Sequence, residues 1–182
     1  KKVGEINLKD KVVLITGGSR GIGETTAKLF SVYGAKVAVN YFKGKDDAQR
    51  IVQEIEDHGG QAMAVGADIS NKNQVEKMIK AICKQFLTIH ILVNNAVRDA
   101  VPIPFMELTW DDIQNDIDVT LKGAFHCSQA VIPLMKQNKG GKIINVSTVF
   151  TEIPVVDQAK YILSKSGFIG LARSLAVEFA KA

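Results

Sequence analysis

The chain has little of what builds disulfide frameworks or metal centres. Its 182 residues include two cysteines, Cys83 and Cys127, and three histidines, His58, His90 and His126. None of these forms a C-x-x-C or Cys/His ligand pattern. The cysteines therefore read as buried apolar thiols in a reducing cytoplasm, and no metal site is expected. No apolar run is long enough to cross a membrane, and the opening KKVGEINLKD lacks the apolar core of a signal peptide. The expectation is a soluble cytoplasmic protein. Charge is not concentrated either: 23 Lys and Arg against 19 Asp and Glu give a net +4, with no dense basic run. That argues against a nucleic-acid or membrane-surface role, while a mild basic excess suits a phosphorylated small molecule.

What is present is a regular alternation. Short apolar runs at 12–15, 36–40, 61–65, 89–94 and 141–147 are separated by helical patterns at 22–33, 46–58, 73–86, 109–137 and 158–180. The runs are nearly all apolar instead of alternating, which predicts strands buried on both faces. Strand–helix repetition of this kind predicts an α/β fold: a doubly wound parallel sheet with helices on both faces. No repeat or linker divides the chain, and its length fits one domain. The longest irregular stretch runs over 98–108 and contains Pro102 and Pro104.

In such folds ligands sit at the carboxyl ends of the strands. After the first strand comes Thr16-Gly17-Gly18-Ser19-Arg20-Gly21-Ile22-Gly23. Glycines at 17, 21 and 23 allow a sharp turn and close approach of backbone to a diphosphate, at the N-terminus of the following helix. The spacing is GxxxGxG, not the GxGxxG of the better-known dinucleotide fingerprint. An NAD site usually carries an acidic residue after the second strand; here the sequence is Asn40-Tyr41-Phe42-Lys43. Arg20 offers a forked partner for a 2′-phosphate, which favours NADP(H) over NAD(H). Asp68 either accepts from an adenine amino group or caps a helix starting near Ser70.

TGGSRGIG, the triplet Asn94-Asn95-Ala96, and Tyr161-x-x-x-Lys165 together resemble the short-chain dehydrogenase/reductase family. The resemblance covers essentially the whole chain and is nearest to the 3-oxoacyl-(acyl-carrier-protein) reductase branch. It implies a Rossmann fold and an NADP(H)-dependent hydride transfer between nicotinamide and a carbonyl or secondary alcohol. It also implies a cofactor site comprising Gly17, Ser19, Arg20, Gly21, Ile22, Gly23, Asn40, Asp68, Ile69, Asn94, Ala96, Tyr161 and Lys165. Tyr161 and Lys165 lie at i and i+4, on one side of a helix. In the family the tyrosine exchanges a proton with the substrate oxygen. The lysine favours the phenolate and holds the nicotinamide ribose.

Three positions depart from the family pattern. Thr148 stands where a serine is usual, thirteen residues before the tyrosine; its hydroxyl keeps the same hydrogen-bonding capacity, but its methyl group adds bulk. Thr120 replaces an asparagine of the proton relay, and Val97 replaces the glycine after Asn-Asn-Ala. Compared with the family, the chain is expected to be a single dinucleotide-binding domain, 1–182, that stops before the substrate-covering segment. The substrate is expected to be a small-molecule or acyl-carrier-protein-bound ketone or alcohol, with a homo-oligomer (dimer or tetramer) formed through the two long helices. Two alternatives stay open: a sugar or secondary-alcohol dehydrogenase resembling glucose dehydrogenase, and a catalytically impaired nucleotide-binding relative.

Overall fold

The computed structural model describes residues 6–98 and 101–180. Five parallel strands form one sheet in the order β3-β2-β1-β4-β5. They are β1 (Val12–Ile15), β2 (Lys36–Tyr41), β3 (Gln61–Gly66), β4 (Ile91–Asn94) and β5 (Lys142–Asn145). Six helices connect and extend them: α1 (Gly21–Val32), α2 (Lys45–Asp57), α3 (Lys72–Phe86), α4 (Trp110–Ile117), α5 (Gly123–Gln137) and α6 (Ala159–Phe179).

The sequence dictates which faces are buried. Strands of Val, Ile and Leu point alternate side chains to opposite faces, so β1 supplies both layers. Val12 and Leu14 pack with Val75, Met78 and Ile82 of α3 and Cys127 and Val131 of α5. Val13 and Ile15 pack with Ala27 of α1 and Ala48, Ile51 and Ile55 of α2. Each fully buried Val, Leu or Ile contributes about 1.5–3 kcal/mol of transfer free energy. The two layers therefore make β1 and its neighbours the rigid centre.

Winding reverses at β1, which pairs with β2 on one side and β4 on the other. Chains leaving the carboxyl ends of β1 and β4 diverge there and open a crevice. That crevice holds the site described below.

The structure differs from the sequence reading in two informative places. β5 is not buried on both faces: Ile144 is 44% exposed, and within the described residues the strand pairs only with β4. The helical region expected over 109–137 is two helices joined by a single wide π-type turn, Asp118–Lys122. It begins as anticipated, with Thr109 accepting from the Asp112 N–H while the Asp112 carboxylate accepts from the Thr109 N–H. Of the irregular stretch 98–108, residues 99 and 100 lie outside the described residues. Its far end forms a short 3₁₀ turn, Phe105–Glu107, and the Ile103 N–H donates to the Asp157 carbonyl at 2.9 Å.

Candidate active site

A cleft of about 920 Å³ runs across the carboxyl ends of the strands. The turn after β1, the end of β2, and the 67–70 segment line one half. Val97, Arg98, Val101, Asn115, Asp118, Val119, Lys160 and Tyr161 line the other.

The glycine-rich turn is fixed by backbone contacts that tolerate almost no side chain. Gly17 has φ +60°, and a Cβ there would lie 2.9 Å from the Ala96 Cα. At Gly23 a Cβ would run into the Gly17 carbonyl and lie 2.7 Å from Asn95 Nδ2. Neighbouring strand ends then hold the turn. Thr16 Oγ1 accepts from the N–H groups of Asn95 (3.0 Å) and Ala96 (3.1 Å), and it donates to the Val93 carbonyl at 3.3 Å. Asn95 Nδ2 donates to the carbonyls of Thr16 and Gly17, both at 3.0 Å. On the other side, the Gly18 N–H donates to the Asn40 carbonyl at 2.8 Å.

Asn40 is buried, and its amide is engaged within the protein. Nδ2 donates to the carbonyls of Tyr41, Val65 and Ala67, and Oδ1 accepts from the Gly17 N–H at 3.4 Å. Its side chain shapes the wall and keeps the turn in register with β2 and β3. By contrast, α1 opens without a side-chain cap at Arg20, leaving its first N–H groups turned to the cleft end. Uncapped N–H groups at a helix start favour an anion. A cradle with no room for a Cβ at Gly17 or Gly23, ending on such a helix, fits a dinucleotide diphosphate.

Of the residues expected to bind a cofactor, Gly17, Ser19, Arg20, Gly21, Ile22, Asn40, Asp68, Ile69, Ala96 and Tyr161 line the cleft. Gly23, Asn94 and Lys165 lie behind its wall. Asn94 Nδ2 donates to Asn145 Oδ1 at 2.9 Å and to Ser128 Oγ at 3.4 Å, tying β4 to β5 and α5. Asp68 caps no helix: the cap of α3 is Asn71, which accepts from the Gln74 N–H at 3.2 Å. Asp68 instead closes a local turn, accepting from the Ser70 N–H (2.9 Å) and hydroxyl (2.7 Å).

The reaction end is made by α6 and the segment after β5. Lys165 is 2% exposed, and its ammonium donates to the Val146 carbonyl. It lies 5.9 Å from the Tyr161 ring centre and 4.7 Å from that of Phe168. Burial pushes its pKa down to about 8, because a low-dielectric site disfavours the charged form. Thr148 starts the short turn Val149–Thr151 and accepts from the Phe150 N–H at 3.3 Å. The same turn places Phe150 edge-on to Tyr161, ring centres 6.3 Å apart. Ser147 is exposed, while Thr148 is half-buried. Thr120 is 3% exposed and lies within the wide turn between α4 and α5. Neither threonine lines the cleft directly.

Sequence reasoning assigned no roles to Thr16, Asn95, Phe150 or Lys160. Thr16 and Asn95 lie within the quoted motifs TGGSRGIG and Asn94-Asn95-Ala96, so their position is a usable signal. Nothing in the sequence marks Lys160 as buried, since lysine almost never is.

No helix of the described residues is long and apolar enough to cross a membrane, and no His, Cys, Asp and Glu group among them is suited to a metal ion. The family model of the short chain dehydrogenases matches residues 11–182. The chain is 39% identical over 173 residues to the 3-oxoacyl-[acyl-carrier-protein] reductase FabG of Staphylococcus epidermidis, covering 94% of this chain and 70% of the relative. The Staphylococcus aureus FabG is 40% identical over 172 residues, 93% and 69% of the two chains. The 3-oxoacyl-[acyl-carrier-protein] reductase of Synechocystis is 39% identical over 175 residues, 95% and 70%. Among solved structures, a 7α-hydroxysteroid dehydrogenase complexed with NADH and 7-oxo glycochenodeoxycholic acid superposes with a TM-score of 0.91 at 31% identity, covering 97% of this chain and 68% of that one. With the glycine cradle at one end of its cleft and Tyr161 and Lys165 at the other, the chain belongs to the short-chain dehydrogenase family of oxidoreductases.

Proposed function

We propose that the protein is an NADP(H)-dependent ketone reductase acting on 3-oxoacyl groups carried as thioesters, such as those on acyl carrier protein. The observation that carries the oxidoreductase reading is the single cleft joining the glycine cradle to Tyr161. The substrate class rests on the 39–40% identity to 3-oxoacyl-[acyl-carrier-protein] reductases.

The cradle residues Gly17, Ser19, Gly21 and Ile22 would hold the diphosphate, with Gly23 keeping the backbone close. Ile69 and Asp68 would flank the adenine, and Ala96 would approach the nicotinamide ribose. A bound nicotinamide supplies or takes the hydride. The remaining steps belong to the chain's own side chains. Tyr161 exchanges a proton with the substrate oxygen, and Thr148 hydrogen-bonds that same oxygen. Lys165, held by the Val146 carbonyl, keeps a positive charge close to the phenol. Thr120 takes the place of the family's relay asparagine and offers a shorter side chain with one hydroxyl. Val97, at the cleft wall, narrows the nicotinamide end.

Cofactor preference is assigned to Arg20, which lines the cleft, and to the absence of a carboxylate at the end of β2. Guanidinium pairs with a phosphate through two parallel hydrogen bonds, and a carboxylate at that place would repel it. The test is NADPH and NADH affinity in the parent protein and in Arg20→Ala, with turnover of an acetoacetyl thioester. NADPH is expected to bind at least tenfold more tightly in the parent, the preference shrinking toward unity in the variant. Equal affinities in the parent would defeat the NADP(H) assignment. No turnover of any ketone would defeat the reductase.

A further inference from the structure

Lys160 is the most unusual side chain in the cleft. It precedes Tyr161 on α6, is only 7% exposed, and lines the same cleft as Tyr161. Its Nζ is not among the enclosed unpartnered side-chain atoms of the described residues, so the residue is largely buried while its ammonium keeps access to solvent. Lys160 thus brings an ammonium donor to the cleft, one residue from Tyr161.

Its surroundings decide what kind of acceptor fits. Asp116 of α4 is 3% exposed, and its Oδ1 has no hydrogen-bond partner among the described residues. The nearest cation to that oxygen is Arg98, with Nε at 3.9 Å. Burial raises the Asp116 pKa, while the charges of Lys160 and Arg98 oppose that rise and Asp112 adds to it. Asp118, also on the cleft wall, is occupied by Gln114 at 3.0 Å and Lys122 at 3.5 Å. Two cations, Lys160 and Arg98, thus face two carboxyl groups, Asp112 and Asp116. The local charge is close to balanced, so this is not an anion trap. It presents a strong donor beside a reaction centre, suited to an uncharged oxygen.

We infer that Lys160 is a specificity-determining residue, donating a hydrogen bond to a second carbonyl oxygen near the reacting ketone. Successive helical residues diverge by roughly 100° about the axis, yet Lys160 and Tyr161 line one cleft, which places two donors before two different oxygens of one bound molecule. Tyr161 addresses the ketone oxygen and Lys160 the neighbouring carbonyl. A 3-oxo thioester or 3-oxo ester has this pair of oxygens; an isolated ketone has one. The inference rests on the ketone-reductase reading above and assigns a residue to its substrate selection.

The test compares acetoacetyl-N-acetylcysteamine with butanone, using NADPH and the parent, Lys160→Met and Lys160→Gln proteins. Methionine matches lysine in length and removes the donor; glutamine keeps a donor without the charge. In Lys160→Met the ratio of kcat/KM for thioester over ketone is expected to fall on the order of tenfold, chiefly through KM for the thioester. In Lys160→Gln the ratio is expected to stay near the parent value. An unchanged ratio in Lys160→Met, or an equal fall in both variants, overturns the inference. Thioester binding followed by ligand-observed NMR, with no cofactor and no turnover, supplies a second readout. Failure of the parent to reduce either ketone strikes the reductase reading. Loss of thioester affinity confined to Lys160→Met still upholds the role of Lys160, and equal affinity in parent and Lys160→Met overturns it. Thermal melts check that both variants fold, and Lys160→Leu, which also lacks the donor, takes the place of Lys160→Met with the same expected fall if that variant does not fold.

Discussion

The two ends of the cleft are built by different means. At the nucleotide end, position is set by backbone: glycines where no Cβ fits, and the amides of Asn40 and Asn95 tying the turn to three strands. At the reaction end, position is set by side chains on one helix and one short turn, with Lys165 held by a single carbonyl and Tyr161 braced by Phe150. The first end tolerates few changes at Gly17 and Gly23, where an added Cβ meets backbone. At the second, Thr148, Thr120 and Val97 depart from the pattern the family resemblance implies, on elements whose backbone does not depend on those side chains alone. Variation at the reaction end is therefore expected to alter rate and selectivity, and variation at the nucleotide end to alter binding and folding together.

The largest expected effect separates chemistry from scaffold. Tyr161→Phe removes the hydroxyl proposed to exchange the proton but keeps the ring that packs against Phe150, so turnover should fall by about 10²–10⁴ with little change in melting temperature. A variant that melts much earlier would show that the hydroxyl is structural.

Next, Gly23→Ala should damage both binding and stability, because the added methyl meets the Gly17 carbonyl and the Asn95 amide. A loss of about 1–3 kcal/mol on denaturant unfolding is expected, together with weaker cofactor affinity. An alanine variant with parental affinity would show that the turn is more compliant than its contacts imply.

Thr148→Val should lower kcat by roughly 10- to 100-fold, the cost of one hydrogen bond to the reacting oxygen, whereas Thr148→Ser should retain activity. Equal activity of the valine variant would remove Thr148 from the reaction.

The smallest effect is a pH dependence. Lys165 has a folded pKa of about 8 against an ordinary 10.5, so between those values the unfolded chain holds more protons at this residue. Its contribution to stability therefore rises with pH through that window, and below it the buried charge carries its full cost. Lys165→Met should flatten this part of the stability–pH curve, read by urea unfolding at pH 7 and 10. An identical slope in parent and variant would place the titration elsewhere.

Much of this site was legible in the chain itself. The glycines at 17, 21 and 23 stand next to an apolar strand, and Tyr161 and Lys165 sit one helical turn apart; both signals are local and survive without tertiary information. The parallel sheet followed from the same local periodicity, whereas the strand order β3-β2-β1-β4-β5 came from the structure. Less legible were features that depend on what lies opposite. Asn40 reads as a cleft residue, but its amide is turned inward because Val65 and Ala67 present carbonyls at the end of β3. Asp68 reads as a cap for a nearby helix, but the helix begins later, at the cap Asn71.

The sequence by itself determined the alternation of strands and helices, the place of the glycine turn and the spacing of the reactive pair, because these depend on neighbours within a few residues. Tertiary structure alone decided the π-type widening of the long helical region at Asp118–Lys122, the depression of the Lys165 pKa and the burial of Lys160 and Asp116. Burial is a property of what packs on a residue from distant parts of the chain. Even a charged side chain can thus be enclosed without any local mark in the sequence.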